Sequence, residues 1–208
     1  NEGISKDRIF FVGNVMIDTL LKHRQKAKKS KILSKLKLDK NDYCVLTIHR
    51  PSNVDRKKDF ENILSILDKI QKKIKIVFPM HPRTDKNIKL FGLDKKFENM
   101  KNLITTSPLG YLDFLCLMAN SKFVLTDSGG IQEETTVLGV PCITLRNNTE
   151  RPVTVKQGTN MIVSTRKAEV VKVCNSIIKG RHFKGKIPQF WDGKASKRIV
   201  DIILKKFD

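Results

Sequence analysis

Leu125-Thr126-Asp127-Ser128-Gly129-Gly130-Ile131-Gln132-Glu133-Glu134 decides the fold. It passes from a short apolar and β-branched run through a glycine pair into a stretch of helical composition, the strand–turn–helix unit of a parallel α/β sheet. Two glycines let a backbone approach a ligand closely, Ser128 offers a hydroxyl, and the first N–H groups of the helix carry partial positive charge. The turn therefore suits a phosphate. Taken alone, the same residues also make an ordinary tight turn capped by Ser or Asp. Glu133 and Glu134 fall in the first helical turns, where a carboxylate can face the two hydroxyls of a ribose, although acidic residues favour helix N-termini on electrostatic grounds alone.

The alternation extends in both directions. Strands are predicted at 8–12, 43–48, 75–78, 103–105, 123–126, 142–145 and 161–163, each short and nearly continuously apolar, as when helices cover both faces of a sheet. Between them, Phe60, Ile63, Leu64, Leu67 and Ile70 make an apolar stripe at helical spacing, repeated by Leu112, Leu115 and Met118 and by Val170, Val173 and Ile177. A last helix follows Gly193, with Ile199, Ile203 and Phe207 on one side. The pattern predicts an α/β, Rossmann-like three-layer domain with a parallel sheet spanning residues 1–208. It shows no internal repeat or linker.

In such a sheet the ligand lies beyond the carboxyl ends of the strands. His49, in Thr47-Ile48-His49-Arg50-Pro51, and His81, in Pro79-Met80-His81-Pro82-Arg83, occupy equivalent strand exits. A lone histidine there reads as structural, but two facing one edge point to phosphate donation or proton transfer near neutral pH. Arg151, held by Pro152 after the strand Cys142 to Leu145, can grip an oxyanion with its planar fork or simply decorate the surface. His23 and His182 lie in charged stretches and carry no assigned role.

The chain has 208 residues, 39% of them hydrophobic, enough for a real core. No apolar run approaches the roughly 20 residues that cross a bilayer, and Asn1-Glu2-Gly3-Ile4-Ser5 lacks the pattern of a signal peptide, so a cytoplasmic location is expected. The first residue is not Met, as in a piece of a longer protein. A net charge of +20 raises the prospect of nucleic acid. Much of the excess, however, is lysine on helix exteriors without interleaved aromatics, and a solvated surface is the better reading. Cys44, Cys116, Cys142 and Cys174 are widely spaced with no metal-ligand pattern, as expected of buried free thiols.

Assembled, these residues resemble the UDP-N-acetylglucosamine 2-epimerase family, in which two Rossmann-like domains of glycosyltransferase-B type close on the substrate. The blocks that carry the likeness run in order from about residue 8 to residue 160: Arg8 to Asn14 with Ile17-Asp18, His49-Arg50 with Ser52-Asn53, Pro79 to Pro82, Thr126 to Glu134, and Thr149 to Pro152. The resemblance implies that Ser128, Gly129 and Gly130 hold a diphosphate, that Glu134 binds the ribose hydroxyls, that Arg151 contacts the phosphates and that Phe114 packs on uracil; by periodicity Phe114 would pass for core. It implies a catalytic role for His49, stabilising the departing diphosphate, and places Arg50 and His81 near a second, regulatory UDP-sugar.

The implied reaction removes the C2 proton, expels UDP to leave a glycal and re-adds UDP with inverted C2, without metal or other cofactor. Its proton-transfer carboxylates belong to the family's amino-terminal domain, which has no counterpart here, so this chain is expected to bind UDP as the carboxy-terminal half of a homodimeric enzyme and not to epimerise alone. A hydrolysing relative releasing N-acetylmannosamine, a glycosyltransferase of the same architecture and a basic nucleic-acid module are the competing readings.

Overall fold

A computed structural model of the chain describes residues 3–181 and 184–207. His182 lies outside the described residues, as do Asn1, Glu2 and the side chain of Phe207. In chain order the elements are α1 (Val15–Ala27), α2 (Ile32–Lys35), β1 (Tyr43–Thr47), α3 (Pro51–Val54), α4 (Lys57–Gln71), β2 (Lys75–Pro79), α5 (Pro82–Phe91), α6 (Asp94–Glu98), β3 (Leu103–Thr106), α7 (Tyr111–Ala119), β4 (Phe123–Thr126), α8 (Gly129–Leu138), β5 (Cys142–Leu145), α9 (Pro152–Lys156), β6 (Asn160–Val163), α10 (Lys167–Ile178) and α11 (Ala195–Phe207).

The strands form one parallel sheet in the order β3-β2-β1-β4-β5-β6. The chain winds outward from β1 to β3, then returns to lay β4 on the free side of β1, with Val45 opposite Val124 and Thr47 opposite Thr126. Strand order reverses there, and in open α/β sheets that is where a crevice opens at the carboxyl edge.

Successive side chains of a strand point to opposite faces, and β1 uses both: Cys44 and Leu46 join one core, Tyr43 and Val45 the other. The first core packs α4 and α10 on the sheet, and the predicted stripe of Phe60, Ile63, Leu64, Leu67 and Ile70 is buried in it. The second packs α1, α2, α7 and α8 through Ile17, Leu20, Leu115 and Met118. Layered this way, the chain is the α/β Rossmann-like architecture expected. All four cysteines are free and buried.

One predicted strand does not form. Of the predicted residues 8–12, Arg8 ends a 3-10 turn at Lys6–Arg8 and the rest form no strand, with Ile9 60% and Phe11 64% exposed. Their composition favours a strand, but a strand needs a partner edge, and the edges β3 and β6 lie elsewhere. The segment runs instead beside α11: the Phe11 ring tilts onto Phe190 at 5.3 Å, and Arg198 Nη1 donates to the Val12 carbonyl at 3.2 Å. Gly13, at φ +101°, then turns the chain into α1, and a Cβ there would fall 2.1 Å from the Phe190 carbonyl oxygen. The apolar stripe of α11 is only partly covered, with Ile203 49% exposed.

Candidate functional site

Residues 125–134 fold as the end of β4, a two-residue exit of Asp127 and Ser128, and the start of α8. Ser128 is the N-cap residue of α8 in extended conformation, yet its hydroxyl makes no cap bond, so the leading N–H groups of Gly129 and Gly130 are not consumed by the side chain before them. A Cβ on Gly129 would meet nothing nearer than a Glu150 carboxylate oxygen at 4.0 Å, and on Gly130 nothing nearer than the Met16 methyl at 4.0 Å. The space that the two glycines spare is therefore not taken by protein, as an anion-binding helix start requires.

A cavity of about 270 Å³ opens beside this helix start, lined by His49, Met80, His81, Phe114, Ser128 and Ile131 among others. Residues after β1, after β2, on α7 and after β4 thus converge at the reversal of strand order. Phe114 divides its surface between this cavity and the second core. The His49 and His81 rings lie 5.6 Å apart. A larger cavity, about 690 Å³, lies by the ends of β5 and β6 and collects Arg146, Ser164 and Arg166. Arg146 and Arg166 are already tied to Glu150 and Glu169, and none of the candidate site residues read from the sequence lines it.

Gly129, Gly130 and Glu134, on α8, and Arg151, at the head of α9, do not line the smaller cavity. Glu134 is 6% exposed and accepts from the Tyr111 hydroxyl at 3.1 Å. Burial pushes its carboxyl above the ordinary range, the Tyr111 hydrogen bond opposes this, and the charge of Glu133 adds to it. Glu133 is raised chiefly by burial too, against the pull of Arg151 and Asn14. Arg151 places Nε 2.8 Å from Glu133 Oε1 while its side chain stays 45% exposed, so its fork is steadied on α8 with one side open to solvent. Arg50 sends its backbone N–H to Asp127 at 2.9 Å, and its charge helps hold Glu150 down at about 2, after the larger effect of Arg146.

Sequence reasoning passed over the residues that hold these groups in place. Gln132, fully buried, receives hydrogen bonds on Oε1 from Thr149 at 2.6 Å and Asn160 at 2.9 Å, and gives one from Nε2 to the Ser128 carbonyl at 3.2 Å. Asn160 also reaches Thr154, whose hydroxyl donates to the Arg151 carbonyl at 2.7 Å. A buried polar lattice thereby fixes the Arg151 turn against the glycine loop. Asp127 and Tyr111 were missed for the same reason, since their partners are distant in sequence. Among the described residues no cluster of His, Cys, Asp and Glu could hold a metal ion, and no helix is long and apolar enough to cross a membrane.

Residues 1–204 match the family model described as UDP-N-acetylglucosamine 2-epimerase. The UDP-N-acetylglucosamine 2-epimerase of Methanocaldococcus jannaschii is 42% identical over 214 residues, covering 97% of this chain and 56% of its own length. The structure of the M. jannaschii UDP-GlcNAc 2-epimerase in complex with UDP-GlcNAc and UDP superposes with a TM-score of 0.87 at 40% identity, over 98% of this chain and 57% of that one. The Neisseria meningitidis UDP-GlcNAc 2-epimerase bound to UDP-GlcNAc gives a TM-score of 0.82 at 29% identity, over 98% and 57%. The chain spans about half the length of the curated relatives it matches. With the match running through nearly every residue and the glycine turn, strand exits and sheet order in place, the chain belongs to the UDP-N-acetylglucosamine 2-epimerase family.

Proposed function

We propose that this chain is the UDP-binding, carboxy-terminal half of a UDP-N-acetylglucosamine 2-epimerase, which interconverts UDP-GlcNAc and UDP-ManNAc by eliminating and re-adding UDP. The observation that carries the reading is the uncapped start of α8 opening beside a cavity that holds His49, His81 and Phe114. On this reading the diphosphate lies against Ser128, Gly129 and Gly130, the uracil on Phe114 and the ribose hydroxyls at Glu134. Arg151 supplies positive charge from the side of α8, and His49 faces the leaving diphosphate. His81 and Arg50 border a regulatory nucleotide-sugar site, and the working enzyme is a cytoplasmic homodimer that needs an amino-terminal domain for proton transfer; these parts rest on the family likeness.

Calorimetric titration of the chain with UDP, with AMP and RNA as controls, tests it. Saturable, UDP-selective binding is expected, weakened about tenfold or more by Ser128→Ala and by Arg151→Ala, since a hydrogen bond to a charged group contributes about 1.5–3 kcal/mol. Binding of RNA in a salt-sensitive manner with none to UDP would overturn the reading.

A further inference from the structure

Asp127 separates β4 from the glycine turn and is completely buried. A buried carboxylate is costly unless its oxygens are met by donors, and here they are. Oδ2 accepts the backbone N–H of Arg50 at 2.9 Å and Asn53 Nδ2 at 3.0 Å, the His49 backbone N–H approaches both oxygens at 3.1 and 3.3 Å, and His49 Nδ1 stands 3.2 Å from Oδ1. One side chain thus ties the exit of β1 to the exit of β4 across the reversal of strand order. It also borders Ser128, the residue assigned to the diphosphate.

A carboxylate can only accept, and a bare Nδ1 lone pair 3.2 Å from Oδ1 would face it unfavourably, so the contact favours the ring proton of His49 on Nδ1 and leaves Nε2 as the free nitrogen. His81 is bonded in the opposite sense: its Nδ1 accepts the backbone N–H of Arg83 at 3.1 Å, capping α5, so its proton resides on Nε2. Two rings 5.6 Å apart on one cavity therefore differ in what they offer it, an acceptor from His49 and a donor from His81.

We propose that Asp127 is a positioning residue that holds His49 in the Nδ1–H tautomer, and that the two histidines form a fixed acceptor–donor pair at the leaving-group end of the site. The pair's use in catalysis rests on the epimerase reading; its tautomers do not. A proton taken up from solvent at Nε2 makes the His49 ring cationic opposite the Asp127 carboxylate. Passing that proton to a phosphate oxygen of the departing UDP restores the neutral Nδ1–H ring, so the proton that enters from solvent leaves with UDP and the ring ends in the state in which it began. His81 Nε2–H supplies a hydrogen bond that transfers nothing.

Long-range proton–nitrogen correlation spectra of the nitrogen-15-labelled chain, recorded at about pH 8, where an unperturbed histidine is neutral, read the tautomers directly. His49→Gln and His81→Gln assign the signals by deletion. The expected result is a protonated Nδ1 and bare Nε2 for His49, and the reverse for His81. Asp127→Asn, whose amide can donate to Nδ1, should move His49 toward Nε2–H and leave His81 unchanged. A wild-type His49 found as Nε2–H, or one indifferent to Asp127→Asn in a folded variant, overturns the proposal; if that variant does not fold, the wild-type spectrum decides alone. No nucleotide is needed, so a failure of UDP binding and a failure of this inference are separately visible.

Discussion

On the proposed reading Glu134 meets the ribose through its charge, and that charge depends on burial. A carboxylate accepts from both ribose hydroxyls, whereas the protonated acid must give up part of that capacity. Because burial raises its titration above the usual range, the site loses this acceptor earlier in acid than an exposed glutamate would. UDP affinity is therefore expected to fall as pH is lowered, starting above the ordinary glutamate value of about 4.3, and Glu134→Gln should flatten that part of a calorimetric pH series. For stability the sign is opposite: a raised native value favours folding in acid, and that contribution is lost as pH rises through it. The positions of Ser128, Gly129, His49 and Glu134 were legible as candidates because a residue type at a strand exit or helix start already suggests a chemistry. Asp127, Tyr111 and Gln132 were not, since each matters through a bond to a residue remote in sequence, and nothing local marks them.

Elements were read well where they are buried on both sides and poorly where they are not. The stripe on α4 and the apolar runs of β1, β4 and β5 left little choice, because only a sheet between two helical layers buries them all. The stretch 8–12 shows the limit: propensity names a conformation but cannot supply the neighbouring edge. How α11 is held was equally hidden. Asp18 in α1 accepts the Ala195 and Ser196 backbone N–H groups at 3.1 and 2.7 Å and the Ser196 hydroxyl at 2.7 Å, capping a helix that begins far along the chain. Burial works against the ionised Asp18, but these hydrogen bonds outweigh it and hold its carboxyl below the usual value. Its contribution is thus present at neutral pH and lost as pH falls through that lowered value. Asp18→Ala should cost about 1 kcal/mol in denaturant unfolding, as loss of a helix cap does, and should expose α11 to limited proteolysis before the sheet is cut.

Across the whole molecule the +20 charge is unevenly spread. Lys22, Arg24, Lys26, Lys28, Lys29, Lys31, Lys35, Lys37 and Lys40 are all exposed along α1, α2 and the approach to β1, near the amino ends of the strands and away from the site. Like charges so crowded repel through solvent and are relieved by screening. Raising salt from about 0.01 M to about 0.15 M, which shortens the Debye length from about 30 Å to about 8 Å, should raise Tm in scanning calorimetry; about 1 kcal/mol of relief corresponds to about 2–4 °C at this size. A Tm that falls with salt would mean that attractive pairs dominate. The other long-range feature is the clasp between the beginning and the end of the chain: Arg198 on the Val12 carbonyl, Lys206 over the Phe10 ring at 4.9 Å, Asp18 at the head of α11. Mechanically it is a fuse. Tension drawn between residue 10 and residue 206 falls first on a row of contacts that peel one at a time, and the parallel strands bear no load until that row has opened.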